Sequence, residues 1–406
     1  MTLLGLSDVR VAELASAIAD GPRPADTDPA RWGEELLARA AWSCVAEPGD
    51  GAAGGVVAAV GAAESLRLLS RSGATRRLRS LCTDSVGDDV ADAVVAAWTS
   101  GSSRWSARLD PTAVVSAVDL AVRAGVRLAT PGSPSWPSRI DDLGVHGPIA
   151  LWVRGRSLSE EFDRSIALVG ARAATGYGEH VTMDAASGLV DRGFAVISGA
   201  AYGIDGAAHR SALADGGTTI AFLAGGVDRP YPSGHASLIS RIAHTGAVYA
   251  EVPCGVAPTK WRFLQRNRLI AATSAATVVL EAGARSGSLN TAGHAASLGR
   301  PLGAVPGPVT SVASAGCHRL LREYDATCVT TAAEMAELAG LPAVVEPAVE
   351  SAASSRVLGA LRPRRATTVA ELVATTGLTL TEVQSTLGLL DLDGTAVERS
   401  DGWVRG

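Results

Sequence analysis

The stretch that decides the fold is IALVGARAATGYG, residues 166–178. It begins as an apolar run, continues as a turn with three glycines, and leads into a segment of helical spacing. Such a strand-to-helix turn lets backbone N–H groups approach a phosphate at the start of a helix. The glycine spacing differs from the dinucleotide-binding fingerprint, and Arg172 stands where that fingerprint keeps a small residue. The stretch predicts the first βα unit of an α/β domain; a purely structural role for the turn stays equally open.

Five further apolar runs follow at regular intervals, and segments of helical spacing separate them. The runs are residues 194–198, 219–226, 247–252, 276–282 and 301–307. Continuous apolar strands that alternate with helices are typical of a parallel sheet covered on both faces. The central part of the chain is therefore predicted to be a doubly wound α/β domain.

The flanking regions differ from this centre. The N-terminal part is Ala-rich with helical spacing, a loose first thirty residues and a Pro/Ser-punctuated connector at Thr130–Leu143. The tail predicts three short helices and a hairpin that turns at Asp401-Gly402, which favours a winged helix over a plain helical cap. The predicted domains are a helical domain with its connector, the α/β domain, an Ala/Pro/Glu-rich linker and the tail, at residues 1–160, 161–335, 336–353 and 354–406.

The charge balance changes when it is divided along the chain. With 36 basic and 41 acidic residues among 406, the net charge of −5 argues against a generally basic nucleic-acid coat. Residues 1–162 carry a net charge of −4, residues 163–330 carry +3, and residues 331–406 carry −4. A basic centre thus lies between two acidic flanks, and it contains Lys260, the only lysine of the chain.

The cysteines and the N-terminal residues indicate the cellular compartment in which the protein is expected. The five cysteines include no close pair, which indicates reduced thiols and no disulfide framework or zinc site. The N-terminus lacks the pattern of a signal peptide, and apolar runs such as Gly55–Ala63 are too short to span a bilayer. We expect a soluble, cytoplasmic protein.

The loops that follow the strands are the candidate sites, because ligands of open parallel sheets bind at the carboxyl ends of strands. After the second strand, SGAAYGIDGAAH (residues 198–209) offers small residues that can line a surface for a sugar-phosphate backbone. For Asp205 and His209 in this loop, helix capping and packing are favoured over catalysis. Tyr231, in the next loop, fits packing and ligand contact equally. The loop ARSGSLNTAGH (residues 284–294) places hydroxyl groups at a helix start.

The most informative loop is APTKWRFLQRNRLIA, residues 257–271. It holds four cations within nine residues and two aromatic rings between them, and no acidic residue occurs between Glu251 and Glu281. Single-stranded nucleic acid needs this combination, because cations neutralise phosphates and rings stack on bases. A solvated helix face is the alternative explanation of the charge run.

Several reaction types have no matching motif in the sequence. It contains no Walker A sequence, no G-x-S-x-G elbow and no carboxylate cluster suited to two-metal cleavage. The loops offer phosphate cradles without an evident nucleophile or base. The sequence therefore predicts a binding site without catalysis, and no cofactor.

Seven motifs between Thr130 and Thr331 resemble the DNA-processing protein A (DprA/Smf) family. They are VGARAATGYG, SGAAYGIDGAAHRSAL, AGGVDRPYP, FLQRNRLIA, EAGARSGSLNTA, AVPGPV and AGCHRLL, in this order. The resemblance implies an extended Rossmann-like domain that binds single-stranded DNA entering the cell during natural transformation. It also implies protection of that DNA, loading of the RecA recombinase, a homodimer formed through the Rossmann-like domain, and no catalysis. The N-terminal region weakly resembles the sterile-alpha-motif or helix-hairpin-helix domain of the family, and the tail resembles its winged helix.

The resemblance also assigns DNA-binding residues. It places the basic pocket at Arg172 and Lys260 and the base-stacking ring at Phe263. The other matched positions are Ser198, Gly199, Gly203, Arg266, Asn267, Arg268, Ser286, Gly287 and Ser288. Three positions depart from the family pattern: Leu264 replaces a usual proline, and Tyr202 and Ser233 stand where many or some members carry a basic residue. The last two departures lower the expected DNA affinity.

Two other functions stay open at this point. A nucleotide-processing enzyme of the phosphoribohydrolase type would share the fold, but the P-G-G-x-G-T-x-x-E loop that supplies its glutamate is missing after Pro306-Gly307. A transcription regulator would use the tail on duplex DNA, but the helix Leu380–Leu392 carries acids and no arginine. Contact with a protein is the favoured role of the tail.

Overall fold

The computed structural model describes residues 3–86, 88–340, 352–363 and 365–406. Two compact units are present, Met1–Leu341 and Pro342–Gly406. The predicted boundary between residues 160 and 161 falls inside the first unit. Most of the predicted linker, residues 341–351, lies outside the described residues, and its first residues end a helix that runs to Leu338.

The N-terminal part of the first unit is helical, as its apolar spacing predicts. Its helices are α1 (Asp8–Ile18), α2 (Pro29–Val45), α3 (Gly51–Val60), α4 (Ala62–Leu68), α5 (Ala74–Val86), α6 (Asp88–Arg108) and α7 (Pro111–Arg123). The expectation of a loose first thirty residues is wrong for the segment from Leu3 to Ile18. The Ser7 side chain caps α1, and Leu3, Leu14 and Ile18 are buried in the core that the helices share. Burial of these apolar side chains stabilises the segment before Asp20, and this segment contains few turn-forming residues.

A nine-stranded sheet forms the rest of the unit. The strands are β1 (Arg127–Ala129), β2 (Leu151–Gly155), β3 (Ser165–Gly170), β4 (Ala195–Ser198), β5 (Thr219–Leu223), β6 (Ala247–Ala250), β7 (Ala276–Glu281), β8 (Leu302–Ala304) and β9 (Thr327–Cys328). Their spatial order is β1-β2-β6-β5-β4-β3-β7-β8-β9. Strands β3 to β9 pair in parallel, whereas β2 runs antiparallel to both β1 and β6. The doubly wound, Rossmann-like α/β prediction is confirmed, and the six predicted runs are β3 to β8.

Helices cover both faces of this sheet. They are α8 (Gly176–Asp191), α9 (Ile204–Ala214), α10 (Ala236–Thr245), α11 (Lys260–Thr273), α12 (Ser288–Ser297), α13 (Ala315–Glu323) and α14 (Ala332–Leu338). Buried apolar clusters on both faces explain why the central strands are apolar throughout and show no alternation. The basic segment predicted as a loop is largely helix α11, because Thr259 caps its start and Arg266 to Thr273 are all buried.

The predicted connector joins the helical part to the sheet through a buried carboxylate. Asp20 accepts hydrogen bonds from the Arg127 guanidinium, the Ser133 hydroxyl and both the backbone N–H and the hydroxyl of Ser135. Burial alone would raise the pKa of Asp20, but these donors outweigh it, so the pKa lies below the ordinary value.

The second unit is described by α15 (Ala352–Ala360), α16 (Val369–Thr376), α17 (Leu380–Leu392), β10 (Ala396–Arg399) and β11 (Gly402–Arg405). Three helices and a hairpin are present in the predicted order, and the winged-helix assignment stays a prediction. The hairpin turn differs by one residue from the expectation, because Arg399 pairs with Gly402 and the turn is therefore Ser400-Asp401. No helix in the described part of the chain is long and apolar enough to cross a bilayer.

Candidate functional site

A cleft of about 760 Å³ opens at the switch point of the sheet, between β3 and β7. The chain winds away from this point in both directions, so the loops that follow β3 and β7 diverge and leave a crevice. The lining residues come mainly from the loops after β3, β4 and β7 and from helix α11. Among the lining residues are Arg172, Asp205, Phe263, Arg266, Asn267 and Arg285.

The turn after β3 is held by a carboxylate of the protein itself. Glu281, the last residue of β7, is 2% exposed and lies beside Gly170 across the sheet. Its carboxylate accepts a hydrogen bond from the Thr175 backbone N–H at 2.8 Å and one from the Thr175 hydroxyl at 2.6 Å. Thr175 also caps α8. The position where Rossmann-like folds hold a phosphate is thus filled by a side chain.

Arg172 and Phe263 face each other at the rim of the cleft. The Arg172 guanidinium carbon lies 4.9 Å from the centre of the Phe263 ring, and the Tyr231 ring lies 5.5 Å from it. Arg172 is exposed and makes no ion pair with any described residue. A ring held against a guanidinium offers a stacking surface beside a free positive charge.

Arg266 forms the floor of the cleft. It is 5% exposed, and its Nη1 donates to the carbonyl oxygens of Gly199 and Phe222. Its Nε donates to the Asn267 side chain, whereas Nη2 has no hydrogen-bond partner among the described residues. Burial lowers the pKa of Arg266 to about 10, and nearby Asp205 opposes that shift. The group therefore stays charged at neutral pH, with one amino group left for a ligand.

The loop after β4 builds the floor from below. The Asp205 carboxylate accepts backbone hydrogen bonds from Gly199 and Ala201, and its burial raises its pKa. Gly199 lies against the Arg266 guanidinium, where a Cβ would come within 2.4 Å of it. Gly203 has a φ of +74° and lies against Ala171, where a Cβ would come within 2.2 Å of the carbonyl oxygen.

Ser198, at the end of β4, also lies beneath the floor of the cleft. Its hydroxyl donates to the Leu168 carbonyl at 2.7 Å and is fully buried. Ser198 and Gly199 are buried and Gly203 is half-buried, so these residues shape the floor of the cleft, and their contact with a ligand stays a prediction.

The loop after β7 supplies the opposite wall. The hydroxyls of Ser286 and Ser288 lie 2.8 Å apart at the start of α12, and the Asn267 amide donates to the Gly287 carbonyl. Arg285, an exposed residue of this loop, also lines the cleft. It was missed among the predicted contacts, although its place in the Gly/Ser-rich turn ARSGS was the available signal.

The basic run of α11 divides into free and neutralised cations. Lys260 is exposed and makes no ion pair within the described part of the chain. Arg262 binds the Glu47 carboxylate through two nitrogens at 3.0 and 3.1 Å. Arg268 is 3% exposed and binds Glu251 at 2.7 Å, so its guanidinium is not available to a ligand in the cleft.

The remaining titratable groups near the cleft have structural partners. His209 is fully buried against the Thr219 hydroxyl, and His318 hydrogen-bonds to the Gly307 carbonyl at 3.0 Å. Among the described residues, no group of three or more His, Cys, Asp or Glu is arranged to hold a metal ion. The cleft thus combines positive charge, a partly exposed aromatic ring and hydroxyl groups, which suits the binding of a phosphodiester chain.

A comparison with protein families identifies the family to which the chain belongs. The sequence model of the family described as DNA recombination-mediator protein A matches residues 127–340, from the start of β1 to the end of the first described unit. The chain belongs to this family. The family is named for a mediator role in recombination and not for a chemical reaction, in agreement with the predicted absence of catalysis. The resemblance to the DprA/Smf family is confirmed.

Curated relatives and solved structures carry the same family name. A DprA-type DNA processing protein of Mycobacterium tuberculosis is 50% identical over 268 residues, which are 64% of this chain and 69% of the relative. The DNA processing protein DprA of Streptococcus pneumoniae is 38% identical over 176 residues, 43% of this chain and 62% of that protein. The X-ray structure of the pneumococcal protein superposes with a TM-score of 0.54 at 27% identity, covering 68% of this chain and 97% of that one.

Proposed function

We propose that this member of the DNA recombination-mediator protein A family binds single-stranded DNA across the cleft at the switch point and passes it to a RecA-type recombinase. In natural transformation, the same binding would protect the incoming strand. The observation that carries the proposal is the rim, where the unpaired Arg172 lies against the Phe263 ring at 4.9 Å.

The charges around the rim support the proposal. Lys260 is exposed at the start of α11, one helical turn before Phe263, and therefore lies on the same face of the helix. Arg285 on the opposite wall and the free amino group of Arg266 on the floor are two further cations that, with Arg172, line the cleft. A strand can therefore place phosphates on cations and a base on the ring without a sequence-specific contact.

The direct test is a binding titration with labelled oligo-dT and a duplex of the same length, followed by fluorescence anisotropy. We expect tighter binding of the single strand and a log–log salt slope of about −0.7 per phosphate neutralised. Equal affinity for the two forms would contradict the proposal.

A double variant locates the site. Lys260→Glu with Arg172→Ala removes two phosphate contacts, so most of the affinity should be lost and the salt slope should become shallower by about 1.4. The charge-matched control is Arg31→Glu with Arg10→Ala, two exposed positions of the N-terminal region. If both double variants bind oligo-dT like the unmodified protein, the site assignment is wrong.

Delivery to the recombinase and self-association are separate steps. RecA filament formation on oligo-dT, measured with and without this protein, tests the first, and an unchanged nucleation rate would reject it. The family resemblance also implies a homodimer, and sedimentation velocity at micromolar concentration measures whether the chain forms one.

A further inference from the structure

The fold places a buried acidic side chain where related folds hold a ligand. Glu281 ends β7 beside the switch point, and its backbone carbonyl accepts a hydrogen bond from the Ala171 N–H at 2.7 Å. This bond continues the ladder between β3 and β7 by one residue. The side chain consequently points across the turn after β3 towards the start of α8.

The contacts of this carboxylate are those of a bound anion. Both oxygens accept hydrogen bonds from Thr175, one from the backbone N–H and one from the hydroxyl. The first turn of α8 contains Gly178, where a Cβ would lie 2.4 Å from a Glu281 oxygen. A negative group at a helix N-terminus is stabilised by the free N–H groups and the helix dipole. Glycine at this place lets the carboxylate approach as closely as a phosphate does elsewhere.

We infer that Glu281 is an internal anion that closes the turn after β3 to phosphate and to free nucleotides. The inference rests on the proposed function, since it concerns the selectivity of the same cleft. An open turn would hold the phosphate of a mononucleotide on α8 and let abundant nucleotides compete with DNA. With the turn occupied, a ligand has the rim, the free amino group of Arg266 and the opposite wall, which an extended strand contacts at several points and a mononucleotide does not.

Chemical rescue tests this inference without DNA. Glu281→Ala removes the carboxylate and leaves a space that acetate or inorganic phosphate can fill, whereas Glu281→Gln removes the charge but keeps the side-chain volume. Thermal unfolding is measured in chloride, acetate and phosphate at equal ionic strength. We expect acetate and phosphate to raise the melting temperature of the Ala variant clearly more than that of the unmodified protein or the Gln variant, because an anion that binds only the folded state stabilises it.

A competition experiment tests whether the space left by Glu281→Ala changes the selectivity for DNA over mononucleotides. The dTMP concentration that displaces labelled oligo-dT from the Ala variant should be about tenfold lower than the concentration needed with the unmodified protein. This ratio corresponds to a difference of roughly 1.4 kcal/mol in the binding free energy of dTMP. The Gln variant should behave like the unmodified protein, since its side chain still fills the turn. Equal competition in the Ala variant and the unmodified protein would overturn the inference.

The outcomes separate this inference from the proposed function. If the unmodified protein fails to bind oligo-dT, the proposed function is wrong, and the thermal measurement still decides whether Glu281 holds an anion site closed. If it binds oligo-dT and neither anion stabilises the Ala variant selectively, the inference about Glu281 is wrong. Should the Ala variant not fold in any of the three salts, Glu281→Ser undergoes the same comparison, because a serine hydroxyl can bond to Thr175 and leaves most of the space open.

Discussion

The buried ring of His209 predicts a loss of stability in mild acid. Its Nδ1 lies 2.7 Å from the Thr219 hydroxyl, which donates its own proton to the Val196 carbonyl. Nδ1 must therefore carry a proton and donate it to Thr219. Nε2 is buried without a hydrogen-bond partner within the described residues. The folded protein thus holds a neutral imidazole that has no acceptor for a second proton.

The size of the effect follows from the pKa. Burial, with smaller contributions from His235, Arg266 and Arg210, lowers the pKa of His209 from its ordinary value of 6.5 to about 3. The unfolded chain takes up this proton below pH 6.5 and the folded chain does not, so stability is complete above pH 6.5 and falls as the pH drops towards 3. The loss is about 1.4 kcal/mol per pH unit, or about 2 kcal/mol at pH 5.0 relative to pH 7.5.

Urea titrations at pH 7.5, 6.5 and 5.0 measure this loss when they are run beside His209→Asn. Asparagine does not titrate and can present its amide N–H to Thr219, so it serves as the matched control. The free energy of unfolding should fall with pH about 2 kcal/mol further in the unmodified protein than in the variant by pH 5.0. Parallel pH profiles of the two proteins would falsify the assignment of a buried neutral ring.

Three substitutions around the cleft have separate expected outcomes. Phe263→Ala should weaken oligo-dT binding by about 1–3 kcal/mol through lost base stacking. The control Trp261→Ala, which removes a neighbouring ring that is 57% exposed, should have less than half that effect in the same anisotropy titration. Equal losses of affinity in the two variants would make Phe263 a packing residue. Arg285→Ala should make the salt slope shallower by about 0.7 without changing the urea midpoint, and an unchanged slope would remove Arg285 from the interface. Arg268→Ala should lower the free energy of unfolding by about 3–5 kcal/mol, because it leaves the largely buried Glu251 carboxylate without its cation and with only the Gly49 N–H as a donor. A loss below about 1 kcal/mol in a urea titration would contradict that reasoning.

The central fold was predictable because its signal is local. Each of the strands β3 to β8 is a short apolar run with a turn after it, and the order of strands and helices leaves few possible topologies. The short strands β1, β2 and β9 were missed. They have three, five and two residues, and β1 and β2 lie on either side of a segment whose prolines and serines predict a connector.

The candidate site was predictable in its position but not in its charges. The absence of acidic residues between Glu251 and Glu281 made the whole basic run look free. Arg262 is nevertheless bound by Glu47, which is far away in sequence and reaches α11 only through the packing of the helical region. The helical nature of the run was also hidden, because α11 is buried on all sides from Arg266 onwards and therefore shows no apolar period.

The two antiparallel strands at the edge of the sheet have a practical consequence for anyone who divides this chain into fragments. A fragment that begins at residue 161 would lack β1 and β2 and leave one side of β6 with unpaired N–H and C=O groups. An uncovered apolar edge of this kind recruits other chains and aggregates. A fragment that begins just before Arg127, the residue at which the family match starts, keeps this edge paired.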